Sequence, residues 1–237
     1  MIKIENTDVF GFEAAIRGMR NPWNSWEKSD SEFEVDCVTC NNPLYPDCES
    51  CPVANNSDKS LIGTADLALM KKLVYAGTDH SKFMRMINVT CDITAPMYWW
   101  KEFDTYKVGT VRNSCSTMHT ITAKEFTLDD FSHEHLDNLS ISRLEWLIDY
   151  LNKCRENYFG DYAEIHGKKD VWWQIIQLLP SSYNQRATVQ FNYAVLRNMY
   201  HSRKNHHLDE WKDFCRWIET LPYSELITGG NADEMQP

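Results

Sequence analysis

The fold of this chain is decided by HSKFMRMINVTCDITAPMYWWKEFDTYKVGTVRNSCSTMH, residues 80–119. Alternate residues of its first part are apolar, namely Ile87, Val89, Cys91 and Ile93. This alternation predicts a half-buried strand. Pro96 suits the first turn of a helix, so the aromatic run after it predicts a short helix over residues 97–103. A polar, irregular segment follows, and such a loop on a rigid scaffold commonly carries ligand-binding side chains.

The composition is that of a globular protein with a substantial core. The chain has 237 residues, of which 43% are hydrophobic and 13% aromatic, and 9 are Trp. This length suits one large domain or two small ones. So many Trp side chains predict large planar surfaces in the core or at an interface. The net charge of -10 argues against general affinity for nucleic acid, because the phosphate backbone selects clustered Lys and Arg.

The chain carries no sign of secretion or membrane insertion. No apolar run approaches the length of a membrane span, and the first residues do not have the pattern of a signal peptide. Residues 1–5 predict a first strand instead. We therefore expect a cytoplasmic protein that binds no membrane. In that compartment the 8 Cys are expected as thiols or metal ligands rather than disulfides.

Half of the cysteines form a repeated C-x-x-C pattern, namely Cys37, Cys40, Cys48 and Cys51. Each pair can point two thiolates at one ion, and four thiolates complete a tetrahedral shell for Zn²⁺. An iron–sulfur cluster could use the same four ligands. The loop between the pairs is shorter than in most zinc ribbons, so a Cys-rich insertion without metal is the alternative. We expect a structural metal in an insertion over residues 34–58.

Helical periodicity recurs through the rest of the chain. It predicts helices over residues 8–20, 65–76, 141–157, 171–179, 187–203 and 208–220. The polar tail over residues 228–237 is expected to be disordered. The sequence contains no G-x-G-x-x-G, no Walker loop and no nucleophile elbow, which removes three common classes of nucleotide-binding or hydrolytic site.

The central stretch, taken with residues 187–211, resembles the flavin-dependent thymidylate synthases. In that family an A-P dipeptide precedes a short helix ending in R-Q-W/F, and the signature R-H-R-x-x-S-x-N-E-x-S-x-R-Y follows. Here Ala95-Pro96 matches the dipeptide, and Lys101-Glu102-Phe103 stands at R-Q-W/F. Further matches are one upstream His and the two Asn and one Arg of a late helix, namely His80, Asn192, Asn198 and Arg203.

The signature motif itself is degenerate in this chain. Thr105-Tyr106-Lys107 stands at R-H-R, so two cationic or ionisable groups are missing and one Arg becomes Lys. Thr110 and Cys115 stand at the two Ser, and Thr117 replaces the final Arg. Arg112 is the available cation near that lost Arg. The resemblance is therefore to a divergent member of the family.

The resemblance implies a fold and a reaction. The fold would be α+β, with a central antiparallel sheet and long packed helices in a single domain over residues 1–227. The reaction would be that of an FAD-dependent methyltransferase, the reductive methylation of dUMP to dTMP, with the carbon from methylenetetrahydrofolate and the hydride from NADPH. Reduced FAD carries the chemistry in such an enzyme. Family members are homotetramers, and the same assembly is expected here.

The resemblance also assigns roles to individual residues. Arg203 is the expected catalytic residue, because a fixed fork of donors can polarise the uracil as negative charge grows on it. His80, Asn192 and Asn198 are expected to bind FAD. The expected substrate-binding residues lie in the central stretch, namely Glu102, Lys107, Arg112 and Cys115.

Each of these residues also has a plain structural explanation, and other functions stay open. Arg203 could complement the helix dipole, and the two Asn could lie on the wet face of a helix. The T-Y-K substitution favours a catalytically degenerate relative that only binds a nucleotide or a flavin. A third possibility is a flavin enzyme that modifies another pyrimidine nucleotide, with the Cys115 thiol as a candidate nucleophile.

Overall fold

The computed structural model describes residues 2–36 and 51–229. The strands are β1 (Lys3–Phe10), β2 (Asn88–Pro96), β3 (Val111–Ser114) and β4 (Asn184–Asn192). The helices are α1 (Phe12–Arg20), α2 (Thr64–Tyr75), α3 (Met97–Phe103), α4 (Thr117–Thr120), α5 (Asn138–Phe159), α6 (Asp161–His166), α7 (Lys168–Leu178), α8 (Tyr193–Arg203), α9 (Asp209–Glu219) and α10 (Glu225–Thr228). None of these helices is long and apolar enough to cross a membrane.

The strands form one four-stranded antiparallel sheet in the order β1-β2-β4-β3. Strand β2 follows the alternation in the sequence, since Val89, Cys91 and Ile93 are all at most 1% exposed while the residues between them are half-buried. The predicted α+β fold with a central antiparallel sheet is confirmed. Helix α3 spans the predicted residues, with Pro96 as its N-cap, and it buries Trp99 and Trp100.

Residue contacts divide the chain into two compact units. The first unit comprises the described residues of 1–3, 93–105 and 113–187. The second unit comprises the described residues of 4–92, 106–112 and 188–237. The expectation of one domain over residues 1–227 therefore stays a prediction.

Helices α5, α6 and α7 of the first unit pack on one another. The inner face of α5 buries Leu144, Ile148 and Leu151 against Ile175 of α7. The amphipathic pattern of α5 was visible in the sequence. Its first residue is Asn138 rather than Ile141, because the carboxylate of Asp137 accepts a hydrogen bond from the Ser140 amide and caps the helix.

The second unit contains a buried ion pair as well as an aromatic core. Arg20 and Asp66 are 4% and 0% exposed. The Asp66 carboxylate accepts a hydrogen bond from Arg20 Nε at 2.7 Å and from the hydroxyls of Ser29 and Ser31 at 2.6 Å each. Both oxygens of this carboxylate thus accept hydrogen bonds. A buried charge is tolerated when it is paired and hydrogen-bonded in this way.

Two predicted helices start in the wrong place. Residues 8–10 belong to β1, and residues 187–192 belong to β4, so the helix predicted over residues 187–203 begins only at Tyr193. The reason is that Ala187, Val189 and Phe191 alternate with polar residues, which is the two-residue period of a strand. The prediction included these residues in the helix that follows them. Helix α6 lies between the helices predicted over residues 141–157 and 171–179, where the sequence predicted no helix.

Candidate functional site

Arg203, the predicted catalytic residue, lies in an aromatic cluster of the second unit. It is the last residue of α8, and its Nε donates a hydrogen bond to the phenol oxygen of Tyr106 at 2.8 Å. Its guanidinium carbon lies 4.8 Å from the ring centroid of Trp211 and 5.5 Å from that of Tyr106. Trp211 is fully buried. These ring faces and the hydrogen bond to Tyr106 therefore help to hold the charge in place.

The loop that carries Tyr106 packs on the start of α8. Gly109 has φ +79°, and a Cβ atom built there would lie 2.9 Å from both Asn192 Nδ2 and Val195 Cγ2. Asn192 is the N-cap of α8, and its Oδ1 accepts a hydrogen bond from the Val195 amide at 3.0 Å. The predicted position of Asn192 within a helix was wrong, because its side chain caps the helix instead.

The other predicted residues of the second unit are spread over its surface. His80 is exposed in the turn before the 3₁₀ helix Lys82–Arg85, and its amide donates to the Gly77 carbonyl at 3.1 Å. Asn198 and Lys107 are exposed, and Arg112 is half-buried in β3. Along α8, Asn198 and Arg203 are five residues apart, so they leave the helix in directions about 140° apart. Their roles stay predictions.

The first unit contains a cavity of about 470 Å³ beside Cys115. Its lining includes Cys115, Lys124, Tyr183, Asn184, Gln185 and Arg186. The main chain at Cys115 is fixed by strand β4, since its amide donates to the Arg186 carbonyl at 2.9 Å and its carbonyl accepts from Gln185 Nε2 at 2.8 Å. The sheet therefore fixes the main-chain position of Cys115.

The cavity offers both charge and hydrogen-bonding groups to a ligand. Lys124 and Arg186 are its cations, and Lys124 forms an ion pair with Asp130. Burial raises the pKa of the Tyr183 phenol, with a further contribution from the charge of Asp130, so this group stays neutral. Asn184 Oδ1 is buried and accepts no hydrogen bond within the described residues.

Cys115 differs from the other described thiols. It is exposed, whereas Cys51, Cys91, Cys154 and Cys215 are buried. Burial raises the pKa of Cys91 to about 12 and that of Cys215 to about 11, with smaller contributions from nearby carboxylates. These thiols are inert at neutral pH, and Cys115 is the accessible one among those that the structure describes.

Sequence reasoning missed the cavity residues Asn184, Gln185 and Arg186. They start β4, just before the segment read as a helix. The signal that could have found them is the period of two through residues 184–192, which predicts a strand there instead of a helix. The predicted residue Glu102 lies half-buried at the end of α3, where its carbonyl accepts from the Thr105 amide and hydroxyl at 3.1 Å and 2.7 Å.

The predicted metal site lies mostly outside the described residues. Cys37, Cys40 and Cys48 fall in residues 37–50, which are not described, and only Cys51 can be placed. Within residues 2–36 and 51–229, no group of three or more His, Cys, Asp or Glu side chains has the arrangement of a metal site. Zinc at the cysteines therefore stays a prediction.

Comparison with solved structures identifies the fold. A crystal structure of the flavin-dependent thymidylate synthase ThyX from Helicobacter pylori, complexed with FAD and dUMP, matches with a TM-score of 0.59 at 16% identity and covers 95% of this chain and 97% of that chain. A second structure of the same protein with FAD and dUMP gives a TM-score of 0.59 at 16% identity over 96% and 97% of the two chains. No family model matches the chain, and no curated protein matches it in sequence.

The resemblance read from the central stretch is thus confirmed at the level of the fold. This chain has the fold of a flavin-dependent thymidylate synthase, with a divergent sequence. The match extends over nearly the full length of both chains, so the fold is not a shared fragment.

Proposed function

We propose that this protein is an FAD-dependent thymidylate synthase-like enzyme that converts dUMP to dTMP. The observation that carries this proposal is the full-length fold match to structures that hold FAD and dUMP. When bound, FAD supplies the hydride chemistry. NADPH and methylenetetrahydrofolate are proposed as the sources of the hydride and the carbon.

The first-unit cavity is proposed to receive the nucleotide. Its volume of about 470 Å³ lies in the range of small-molecule sites. Arg186 supplies a planar fork of donors suited to a phosphate. Cys115 lies on the same wall and is proposed to contact the nucleotide.

If the uracil binds in the second unit instead of the first-unit cavity, Arg203 is proposed to polarise it. The two rings around it restrict the guanidinium, so little conformational entropy is lost when it meets a developing charge. Tyr106 is proposed as its positioning residue, since it accepts the Nε hydrogen bond. A Tyr in the place of the family's His thus has a defined contact in this chain. The exposed side chains of His80 and Asn198 are proposed to contact the flavin.

A second candidate function follows from the degenerate signature. Thr105-Tyr106-Lys107 replaces R-H-R, which removes groups that the family places near flavin and phosphate. The chain would then be a catalytically degenerate nucleotide- or flavin-binding relative, or an enzyme acting on another pyrimidine nucleotide. The exposed Cys115 thiol in the cavity favours the last of these, because no Ser hydroxyl matches its nucleophilicity.

The decisive experiment is the absorbance spectrum of the purified protein, followed by titration with FAD and then dUMP. We expect a flavin band that shifts when dUMP is added, and dTMP formation once NADPH and methylenetetrahydrofolate are supplied. A flavin-bound protein that forms no dTMP would favour the degenerate relative. A colourless protein that binds neither ligand would refute the proposal.

Two substitutions separate the proposed roles. Arg186→Ala should weaken dUMP binding roughly 100-fold, because a charge-assisted phosphate contact is lost, and it should leave flavin uptake intact. Arg203→Ala should retain flavin and lose dUMP-dependent turnover. Arg216→Ala on α9, an exposed Arg paired with Asp213, is the matched control and should match wild type in both assays.

A further inference from the structure

A second cavity in the first unit has a volume of about 250 Å³ and lies among helices α5, α6 and α7. It shares no lining residue with the cavity beside Cys115. Each helix lines it with a pair of side chains four residues apart, and side chains with this spacing lie on one face of a helix. These pairs are Tyr150 and Cys154 of α5, Tyr162 and His166 of α6, and Asp170 and Gln174 of α7. The side chains of three helices therefore converge on one small volume.

Three aromatic rings belong to the wall of this cavity, those of Tyr150, Tyr162 and His166. The Tyr150 ring is stacked on that of Trp146, with a centroid distance of 5.9 Å and an interplanar angle of 13°. The centroids of the Tyr162 and His166 rings lie 4.1 Å apart at an interplanar angle of 30°. Each ring is thus supported by a neighbouring ring. Several aromatic rings around one small volume are the usual protein environment for an organic cation, because ring faces attract positive charge.

The charges at the cavity also favour a cation. Asp170 is exposed and forms no ion pair with the part of the chain that the structure describes, and the described lining residues include no Lys or Arg. Two Lys side chains of the same helices contact other groups. The Lys168 ammonium lies 5.5 Å from the ring centroid of Tyr158, and that of Lys153 forms an ion pair with Glu156. The net charge of -10 adds a general attraction for positive ligands.

The lining selects a small organic cation over a metal ion. Within residues 2–36 and 51–229, no group of three or more His, Cys, Asp or Glu side chains has the arrangement of a metal site. Cys154 is buried, and burial raises the pKa of its thiol, so this group stays neutral. The volume of about 250 Å³ is below the roughly 300–1,000 Å³ of sites for drug-sized ligands. Quaternary ammonium groups are the cations that proteins most often bind with aromatic rings.

We propose that this cavity binds a small quaternary ammonium compound, namely a trimethylated amine of the size of choline. The rings of Tyr150, Tyr162 and His166 contact its methyl groups, and the Asp170 carboxylate balances its charge. The site does not depend on the proposed thymidylate synthase reaction.

The test is a titration of the purified protein with choline, followed by saturation-transfer NMR of the trimethyl signal. The second probe is the neutral isostere dimethylbutanol, in which a carbon atom replaces the charged nitrogen. We expect saturable binding of choline, and binding of the alcohol that is weaker by about tenfold or more. Absence of saturable choline binding up to about 50 mM would overturn the proposal. Equal binding of the two probes would also overturn it, because the cavity would then select shape and not charge.

Substitutions in the wall locate the bound choline. Tyr162→Leu should weaken binding about tenfold, because it removes a ring, whereas Tyr162→Phe keeps the ring and should stay within about twofold of wild type. Asp170→Asn should also weaken binding, because it removes the balancing charge. Phe159→Leu and Asp161→Asn change exposed residues of the same helices outside the cavity and should match wild type. Circular dichroism checks that each variant is folded. Unchanged choline binding in both Tyr162→Leu and Asp170→Asn would overturn the proposal.

Discussion

Arg203 Nε lies 2.8 Å from the phenol oxygen of Tyr106. Tyr106 stands at the position where the family's signature motif R-H-R has its His. The guanidinium of Arg203 also lies over the rings of Tyr106 and Trp211. In the sequence, Tyr in place of the family's His looked like the loss of a functional group. In the structure, this Tyr106 forms a hydrogen bond with Arg203. Its consequence is a fixed cation at the end of α8.

Tyr106→Phe tests the positioning role of that contact. The ring is retained and the hydrogen bond is lost, so stability should fall by only about 1 kcal/mol. If Arg203 acts in turnover, kcat should fall more than tenfold with little change in the KM for dUMP. Urea unfolding and steady-state kinetics measure the two effects. An unchanged kcat in an active enzyme would show that Tyr106 has no positioning role.

Gly109→Ala tests the packing of the same loop on α8. At φ +79° an added Cβ would lie 2.9 Å from Asn192 and Val195, so conformational strain and crowding should together cost about 2 kcal/mol or more. Gly77 has φ +104° with nothing within 4 Å of the added atom. Gly77→Ala is therefore the control for strain alone, about 1–2 kcal/mol. Equal losses for the two variants in urea unfolding would contradict the close packing.

Asp66→Asn should destabilise the second unit strongly. It leaves the charge of Arg20 buried without its partner, and breaking a buried pair in this way costs about 3–5 kcal/mol. The surface pair of Arg17 and Glu13, with side chains 66% and 52% exposed, is the control. Glu13→Gln should cost less than about 0.5 kcal/mol. Chemical unfolding of both variants decides the point, and a small loss for Asp66→Asn would be inconsistent with a dry ion pair.

Asp30 should contribute to the acid sensitivity of the protein. Burial tends to raise the pKa of its carboxyl, but the amides of Ala65 and Asp66 at the start of α2 donate to it at 2.8 Å and 3.0 Å, and the net result is a lowered pKa. The stabilisation is therefore present above the ordinary Asp pKa of about 4 and is lost as the pH falls through the lower value in the folded state.

Asp30→Asn removes that titration while it keeps a capping side chain. Its stability should decline less steeply than that of wild type when the pH is lowered below about 4. Glu27→Gln, at an exposed position in the preceding turn, is the control and should keep the wild-type slope. Identical slopes for wild type and Asp30→Asn would rule out this contribution.

Cys115 should be alkylated in the native protein while Cys91, Cys154 and Cys215 are protected, because burial raises the pKa of these three thiols. Iodoacetamide labelling at about pH 8, read by peptide mass spectrometry, measures this directly. If the nucleotide occupies the cavity, dUMP should slow the labelling of Cys115. Labelling of Cys51, which is buried and lies outside the cavity, should stay low with and without dUMP.

The sequence by itself determined the parts of this fold in which one periodicity is unambiguous. Strand β2 and helix α3 follow from the strict alternation up to Ile93 and from Pro96 at the helix start. Helix α5 follows from its apolar stripe. Local sequence is enough to predict these segments, because the alternation or helical spacing of consecutive residues shows which side chains are buried. The order of elements around Ala95-Pro96 was enough to identify the fold.

Only the tertiary structure decided where β4 ends and α8 begins, and which side chains share a cavity. Residues 187–192 fit either period until β2 and β3 are seen to pair with them, because strand pairing depends on residues distant in the chain. Arg186 and Cys115 are 71 positions apart and meet only through that pairing. Tyr106 and Arg203 are likewise joined by packing, which sequence spacing does not encode.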